Sequence, residues 1–186
     1  ARPDAHLALD ELRREGIKTY MLTGDSKIPA LRLGLELGFA PDEVFFALLP
    51  DEKARKTAAL SKRGMVAYVG DGINDAEALA AAGLSIAMDK ATPAAKERAD
   101  CLLLTPDLMA IPDAVRISRR SYRVIAENFV WAFAYNLVLI PLAMTGYLWM
   151  WMCALVMILS NLTLMANSIR AGYDTGPKRL RHEIEP

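Results

Sequence analysis

The sequence predicts an α/β domain with a parallel sheet, followed by a transmembrane two-helix hairpin. Strand-like and helix-like segments alternate over residues 1–127, which is typical of a parallel sheet covered by helices on both faces. The next 42 residues, 128–169, contain no Asp, Glu, Lys, Arg or His. Because one membrane-crossing helix needs about 20 apolar residues, this stretch is long enough for two.

Five strand-like segments are predicted in the charged part of the chain, at 17–23, 44–49, 65–69, 84–88 and 101–104. Helical patterns alternate with them over 5–15, 27–38, 51–63 and 74–82. Thr92 and Pro93 begin a further helix, since Thr is a favoured N-cap and Pro a favoured first helical residue. The last strand contains Cys101, which we expect to be a small buried core residue.

The uncharged stretch is expected to form two spans, 126–145 and 148–169, with a break near Thr145 and Gly146. Tyr147, Trp149 and Trp151 cluster at this break, as aromatic residues do at membrane interfaces. Basic residues flank the outer ends of both spans, so the positive-inside rule places both ends in the cytoplasm. The alternative is a pair of very apolar buried core helices.

This pattern divides the chain into three parts. Residues 1–112 are expected to belong to a cytoplasmic domain, and residues 113–169 to a linking helix and the two spans. Residues 170–186 are expected to form a basic cytoplasmic tail. We therefore expect an integral protein of the cytoplasmic membrane.

Composition excludes several classes of protein. Lys and Arg total 22 and Asp and Glu total 22, so the net charge is zero and gives no support for nucleic-acid binding. Hydrophobic residues make up 53% of the chain, which excludes intrinsic disorder. The two cysteines are too few for a disulfide scaffold and are typical of a reducing compartment.

Polar residues follow a predicted strand at the edge where a parallel sheet binds ligands. Val69 leads into Gly70-Asp71-Gly72, and Asp75 opens a helix four residues after Asp71. Glycines allow a sharp turn and the close approach of a ligand. The two carboxylates suit a hard cation such as Mg²⁺, which prefers oxygen ligands and neutralises phosphate oxygens.

A second polar group lies at the end of the first strand and at the start of a later helix. Thr23 is followed by Gly24 and Asp25, and its hydroxyl and the nearby backbone N–H groups suit phosphate oxygens. Lys53 follows Pro50 at a helix start and would add positive charge to the same anion. The plainer alternatives are that Asp75 is only a helix N-cap and that Lys53 is only a solvated surface charge.

Three segments, MLTGD at 21–25, LLPDEK at 48–53 and VGDGINDAEALAAAG at 69–83, resemble the phosphorylation domain of P-type ATPases. The strand and the membrane pair that follow resemble the heavy-metal-transporting branch of this family. The resemblance implies an incomplete haloacid-dehalogenase-like parallel sheet. It also implies a cycle in which ATP phosphorylates an aspartate and the phosphoenzyme is then hydrolysed.

The resemblance implies roles for individual residues. Thr23 would contact the transferred phosphoryl group, Lys53 would neutralise its charge, and Asp71 would bind Mg²⁺ with the support of Asp75. The nucleotide and the cofactor would be held by turns that contain Gly24, Asp25, Gly70, Gly72 and Asn74. Glu77 departs from the family pattern, which usually has proline at that position.

The family's phosphorylated aspartate lies in an Asp-Lys-Thr-Gly-Thr motif, and no such run occurs in these 186 residues. Segments that resemble the family's nucleotide-binding domain, actuator domain and earlier membrane helices are also missing. We therefore expect the C-terminal part of a transporter that forms no phosphoenzyme by itself. Its sheet would fold without the aspartate's central strand or with that strand supplied elsewhere.

The second span contains Cys153, Met157 and Asn161 at helical spacing on one face, with Ser160 beside them. Thiolate and thioether sulfur are soft ligands that select copper(I), whereas a zinc or cadmium site would be expected to use a charged residue. Packing is the alternative role for each of these side chains.

The first span contains Tyr135 and Asn136, and the second contains a Met-x-x-Ser sequence. This combination is similar to the copper(I) branch of the family. That branch usually has a second serine where this chain has Asn161, and its Cys-Pro-Cys ligands would lie in an earlier span. The expected function is ATP-driven transport of a heavy-metal cation with Mg²⁺ as cofactor, and copper(I) is the first candidate for the transported ion. The partners implied are the lipid bilayer, the transported metal ion and a metallochaperone.

Three other functions stay open on the sequence. One is a zinc or cadmium transporter of the same family. The second is a membrane-anchored haloacid-dehalogenase-like phosphatase with the hairpin as its anchor. The third is a non-catalytic membrane subunit with a regulatory or structural role.

Overall fold

The computed structural model describes residues 4–71, 74–146 and 149–174, and for Ala94, Arg98, Met150, Cys153 and 171–174 it describes the backbone alone. Contacts divide the chain into two compact units, with the boundary between Pro112 and Asp113. The first unit contains every described strand, and the second contains most of the two longest helices.

The first unit alternates helices with short strands. Its helices are α1 (Ala5–Arg14), α2 (Lys27–Glu36), α3 (Pro50–Ser61), α4 (Ala76–Ala80) and α5 (Pro93–Arg98). Its strands are β1 (Met21–Leu22), β2 (Val44–Phe45), β3 (Ala67–Gly70), β4 (Leu84–Ala87) and β5 (Cys101–Leu102). A 3₁₀ turn occupies Pro41–Glu43. This alternation, together with parallel pairing, confirms the predicted α/β class.

All strand pairs in the described residues are parallel and form two hydrogen-bonded sheets, β1–β2 and β3–β4–β5. The strands are shorter than the apolar runs that predicted them. β1 has only the two residues that pair with β2, and residues 17–20 belong to no strand. β2 ends early, and Ala47, two residues later, has φ of 53°, a left-handed conformation that a strand does not contain.

Local chemistry explains where two helices begin. Pro50 occupies the first turn of α3, and the Glu52 carboxylate accepts a hydrogen bond from the backbone N–H of Leu49 at 2.9 Å. Thr92 caps α5, because its Oγ1 accepts a hydrogen bond from the backbone N–H of Ala95 at 3.3 Å. The cap at Thr92 confirms the sequence prediction for this helix.

Two apolar clusters form the core of the first unit. The cluster where α2 meets β2 consists of Ala30, Phe39 and Val44. A Cβ at Gly34 on α2 would lie 2.5 Å from Val44 Cγ2, so this close contact requires glycine. Tyr68 packs against the second cluster, which consists of Leu79, Ala87, Ala91 and Ala95.

Cys101 is exposed, so the expectation of a buried core cysteine is wrong. β5 is the edge strand of its sheet, and both of its residues are exposed. A central parallel strand is covered on both faces, and its sequence is a run of apolar residues. An edge strand can have the same apolar sequence without being covered on both faces. The apolar sequence therefore did not indicate burial here.

Ser85 and Asp100 join β4 to the segment that leads into β5. The Asp100 carboxylate accepts hydrogen bonds from the Ser85 backbone N–H at 2.8 Å and from the Ser85 hydroxyl at 2.7 Å. Ser85 Oγ in turn accepts a hydrogen bond from the Asp100 backbone N–H at 3.0 Å. The two hydrogen bonds from Ser85 lower the pKa of the Asp100 carboxyl below its ordinary value.

Replacing Asp100 with asparagine is expected to lower stability at neutral pH and to matter less in acid. A carboxyl whose folded pKa is depressed stabilises the fold above its unfolded pKa of about 3.9, and that contribution is lost as pH falls through the lower folded value. Thermal unfolding of both proteins in detergent at pH 7, 5 and 3 measures the difference. The exposed Asp42→Asn serves as the control. A difference in midpoint that stays constant across this range would contradict the prediction.

The second unit is built on two long helices, α6 (Ala110–Met144) and α7 (Met150–Asp174). Gly146 follows α6 with φ of 78°, a conformation that terminates the helix. By length and composition α6 is apolar enough to cross a membrane, and no part of its apolar window is buried in the structure. A shorter apolar segment, Ala154–Arg170, lies within α7.

Polar side chains fix how α6 and α7 pair. Asn128 Nδ2 donates a hydrogen bond to Ser168 Oγ at 3.1 Å, and Asn167 Nδ2 donates one to Asn128 Oδ1 at 2.8 Å. These bonds set an antiparallel register. The half-buried positions mark the face that each helix turns to the other, here termed the seam: Val124, Asn128, Ala132, Tyr135 and Leu139 on α6, and Met152, Val156, Ser160, Leu164 and Asn167 on α7.

Candidate phosphoryl and metal site

The first group of predicted site residues meets at the carboxyl end of β3. Lys53 in the first turn of α3 donates a hydrogen bond from Nζ to Asp75 Oδ1 at 2.7 Å. The Tyr68 hydroxyl donates a second hydrogen bond to the same oxygen at 3.0 Å. Lys53 and Asp75 are 22 residues apart in sequence, and contacts between α3 and α4 bring them together.

The plainer alternatives for these two residues do not describe the structure. The Lys53 side chain is 12% exposed and the Asp75 side chain 15%, so Lys53 is not a solvated surface charge. Asp75 occupies the N-cap position of α4 but makes no side-chain capping bond. Its carboxylate is instead committed to Lys53 and Tyr68. A largely desolvated ion pair at a strand end indicates a charged site rather than a structural cap.

Gly70 makes this arrangement sterically feasible. A Cβ at this position would lie 2.9 Å from Asp75 Oδ2, 3.1 Å from Asp75 Cβ and 3.1 Å from Tyr68 Cε1. Any larger residue would therefore push the carboxylate and the phenol ring away from the strand end. The close approach of a ligand to this glycine stays a prediction, and the group that approaches it in the structure is the protein's own carboxylate.

Asp71 follows β3 directly and is exposed, and its backbone carbonyl accepts a hydrogen bond from the Thr92 N–H at 3.3 Å. Asn74 is also exposed. Gly72, a third predicted residue of this turn, lies outside the described residues. The strand end thus presents one exposed residue with a carboxylate, Asp71, and the largely buried carboxylate of Asp75.

The second predicted group forms a compact loop after β1. Thr23 Oγ1 donates a hydrogen bond to Asp25 Oδ2 at 3.0 Å and accepts one from the Asp25 backbone N–H at 3.1 Å. The Leu48 N–H donates to the Thr23 carbonyl at 3.1 Å, and a Cβ at Gly24 would lie 3.4 Å from the Leu48 carbonyl oxygen. Leu48 lies in the loop that leads into α3. The structure therefore links the Thr23 loop to Lys53 through this β2–α3 loop.

Tyr68 is a member of the site that the motif reasoning did not include. Burial raises the pKa of its phenol, and the negative charge of Asp75 raises it further. The phenol therefore stays protonated and remains a hydrogen-bond donor. The available signal was alternation along β3, since residue 68 lies two positions before Gly70 and on the same face of the strand.

The chemistry of these residues fits a magnesium ion. Mg²⁺ takes oxygen ligands, usually one or two carboxylates together with waters and phosphate oxygens, and Asp71 and Asp75 supply two carboxylates at one strand end. In the described part of the chain, no three His, Cys, Asp or Glu residues cluster as a transition-metal site would require. The donor set therefore suits a hard cation that retains water.

The predicted ligands in the apolar helices fall into two sets. Tyr135 and Ser160 are half-buried on the seam, and both lie about two turns from the Asn128–Asn167 contact, which places them at the same level. Asn136, Met157 and Asn161 are exposed and lie off the seam. The side chain of Cys153 lies outside the described residues. The hairpin therefore does not bring the six predicted ligands together.

Two of these polar side chains bond to their own helix. Asn136 Nδ2 donates to the Ala132 carbonyl at 2.7 Å, and Ser160 Oγ donates to the Met157 carbonyl at 3.2 Å. Such bonds satisfy a polar proton in an apolar environment. Met157 is 66% exposed and has no such constraint on its sulfur.

Comparison with known sequences identifies related proteins. Two models of haloacid dehalogenase-like hydrolases match residues 1–83 and residues 57–114. A copper-exporting P-type ATPase from Staphylococcus aureus (strain JH9) is 42% identical over 164 residues, which cover 88% of this chain and 20% of that protein. The chain thus spans about a fifth of the length of the curated relatives that it matches.

Solved structures give the same family. A zinc-transporting PIB-type ATPase in the E2·Pi state has a TM-score of 0.83 and 32% identity, over 91% of this chain and 28% of its own. The catalytic domain of a CPx-ATPase has a TM-score of 0.56 and 33% identity, over 61% of this chain and 45% of its own. Together with the motifs and the site geometry, these likenesses show that the chain belongs to the heavy-metal-transporting P-type ATPases and that its first unit has the haloacid-dehalogenase-like fold.

Proposed function

We propose that this chain is the C-terminal part of an ATP-driven transporter whose cargo is copper(I). Residues 1–112 are the second half of a cytoplasmic phosphorylation domain, residues 113–169 carry the last two membrane spans, and residues 170–186 are a cytoplasmic tail. The observation that carries the proposal is the Lys53–Asp75 pair at the end of β3, in a chain that continues into 42 residues without charge. A soluble metallochaperone is the partner that would deliver such a cargo.

The cytoplasmic residues serve phosphoryl transfer to an aspartate. Lys53 is a fixed positive charge that stabilises negative charge on the transferred phosphoryl group. The Thr23 hydroxyl, which donates a hydrogen bond to Asp25 in this structure, can donate one to a phosphoryl oxygen instead. Gly24 and Asp25 hold the loop in which Thr23 lies. Because these groups are ordered before the substrate arrives, little reorganisation is needed at the moment of transfer.

Asp71 and Asp75 are the residues that would hold Mg²⁺, and Gly70, Gly72 and Asn74 are the other residues that we assign to this site. When bound, the ion neutralises phosphate oxygens and orients them for transfer. Asp75 contributes in two ways, because its Oδ1 also receives the Lys53 ammonium. The carboxylate that would contact the cation therefore also holds the positive charge of Lys53.

A single helix links the phosphoryl chemistry to the membrane. α6 runs without interruption from Ala110 to Met144 and carries the chain from the first unit into the apolar stretch. A continuous helix transmits a displacement along its axis with little loss. We assign this helix as the mechanical link between phosphorylation and the opening or closing of the metal site.

Copper(I) is the cargo that the apolar helices support best. Residues 128–169 offer sulfur, hydroxyl and amide groups but no ionisable carboxylate, imidazole or amine. Sulfur ligands select copper(I), and a divalent ion in a low-dielectric site calls for a compensating charge. Zinc is the second candidate, because the structural relative with the TM-score of 0.83 is named as a zinc transporter.

Phosphorylation from ATP tests the proposal. The complete protein that contains this chain is expected to form an acid-stable phosphoprotein with ATP and Mg²⁺. The 186-residue chain alone is expected to form none, because it has no Asp-Lys-Thr-Gly-Thr run. Incorporation of labelled phosphate by residues 1–186 alone would show that the proposal is wrong. Metal-independent hydrolysis of small phosphate esters by the complete protein would favour a membrane-anchored phosphatase.

A further inference from the structure

Asp75 is oriented by two donors that differ in stiffness. Lys53 and Tyr68 both donate to Oδ1, at 2.7 Å and 3.0 Å. A lysine ammonium sits on a flexible four-carbon stem, whereas a tyrosine hydroxyl is placed by two side-chain torsions. No capping bond to α4 restrains the carboxylate of Asp75. Its rotation therefore depends on these two donors, and the tyrosine is the more rigid of them.

The ring of Tyr68 is itself held in place. It packs against the apolar cluster that contains Leu79 and Ala87. Its Cε1 lies 3.1 Å from the position of a Cβ on Gly70, so glycine leaves the ring edge the space that it occupies. The phenol thus connects the apolar core of the sheet to the carboxylate at its edge.

The two oxygens of Asp75 are thereby given different tasks. Oδ1 is occupied by Lys53 and Tyr68, and Oδ2 lies beside Gly70, 2.9 Å from where its Cβ would be. Gly70 immediately precedes Asp71 in the turn. A partial rotation of the carboxylate about its terminal torsion would move an oxygen away from this position, and an sp²-terminated torsion of this kind has only a weak intrinsic preference.

We propose that Tyr68 is a positioning residue whose hydrogen bond to Asp75 Oδ1 keeps Oδ2 turned toward the turn that contains Asp71. This inference rests on the proposed function, since it assigns to that oxygen the divalent cation that Asp71 and Asp75 would hold. The hydroxyl maintains this orientation when the Lys53 ammonium turns toward a phosphoryl oxygen. Tyr68 itself touches neither the cation nor the phosphoryl group.

Tyr68→Phe tests the inference, because it removes the hydroxyl and leaves the ring in the core. Magnesium chloride is titrated into the detergent-solubilised chain, and binding is followed by the backbone amide signals of Gly70 and Asp75 in nuclear magnetic resonance spectra. We expect the dissociation constant for Mg²⁺ to rise about 10-fold, which is a typical loss of metal affinity when a residue that orients a metal ligand is removed. The thermal unfolding midpoint should change little. Tyr20→Phe, on a residue that packs against Phe45 away from this turn, is the matched control.

The outcomes separate this inference from the proposed function. Equal Mg²⁺ affinity of the wild-type chain and Tyr68→Phe would overturn the role of Tyr68 and leave the magnesium site intact. Absence of Mg²⁺ binding by the wild-type chain would overturn the magnesium site and this inference together. In the complete protein, Tyr68→Phe should raise the Mg²⁺ concentration that gives half-maximal phosphoprotein, and saturating Mg²⁺ should restore its amount.

Discussion

Replacing Lys53 with methionine is expected to reduce the rate of phosphoprotein formation by the complete protein about 100-fold or more. Rates fall by this much when an enzyme loses one preorganised group that stabilises charge in the transition state. The ammonium is the positive charge held at this strand end, 2.7 Å from Asp75 Oδ1. Methionine keeps the length of the side chain and removes the charge. Labelling with radioactive ATP, followed by acid precipitation, measures the effect.

The same substitution is expected to lower the free energy of unfolding of the first unit by roughly 2–3 kcal/mol. This value lies between the small contribution of an exposed ion pair and the cost of breaking a fully buried one. Both side chains are more than four-fifths buried, so Asp75 would lose its counter-charge where water solvates it poorly. Thermal unfolding of the chain measures this loss. Lys62→Met, at the exposed C-cap of the same helix, is the control for the loss of one positive charge.

A double variant separates the stability that the Lys53–Asp75 pair supplies from the activity that requires its two charges. Lys53→Met combined with Asp75→Asn removes both charges and should recover much of the lost stability, because no uncompensated carboxylate remains. Phosphoprotein formation should stay low in this variant. If activity returned together with stability, neither charge would be needed for phosphoryl transfer, and the roles assigned to Lys53 and Asp75 would both be wrong.

The sequence predicts the members of the strand-end site better than it predicts their contacts. Short motifs identify Lys53 and Asp75, because a helix start after proline and a glycine-flanked turn after a strand are both local features. Their direct contact spans 22 residues and depends on how α3 packs against α4. Tyr68 was not identified for the same reason: alternation along β3 puts it on the face of Gly70, but its part in the site depends on where Asp75 turns its carboxylate.

Burial was harder to predict than secondary structure. The run 101–104 has the composition of a buried strand, yet Cys101 is exposed because β5 lies at a sheet edge. Helical spacing placed Met157 and Asn161 on one face, and it did not predict which face of α7 meets α6. That face is set by long-range bonds such as the one from Asn167 to Asn128. Periodicity indicates which residues share a face, and packing decides what the face contacts.

The exposure of Met157 indicates how its replacement should affect the fold. Its side chain is 66% exposed and lies off the seam, so it contributes little to the pairing of α6 and α7. Leucine has nearly the same volume, and such exchanges usually cost less than about 1.5 kcal/mol even in a core. Met157→Leu is therefore expected to leave the fold and the hairpin intact while it removes one thioether sulfur.

In the complete protein, Met157→Leu is expected to abolish the stimulation of ATP hydrolysis by copper(I). Copper(I) is bound by soft sulfur donors, and leucine offers no donor in place of the thioether. ATP hydrolysis is measured with and without copper(I) under reducing conditions. Met165→Leu is the matched control, because Met165 is similarly exposed, at 59%, on the same helix and was not predicted as a ligand.

The response to zinc distinguishes the two cargoes. A copper(I) transporter should show little zinc stimulation in either the wild type or Met157→Leu, whereas a zinc transporter should keep its zinc stimulation when the sulfur is removed. Unchanged copper stimulation in Met157→Leu would contradict the assignment of copper(I) through this residue. Because Met157 lies off the seam with α6, a metal bound there would take its further donors from the same face of α7 or from a segment beyond this helix pair, such as the family's Cys-Pro-Cys span. Loss of stimulation without loss of fold would place the metal on the outer face of α7.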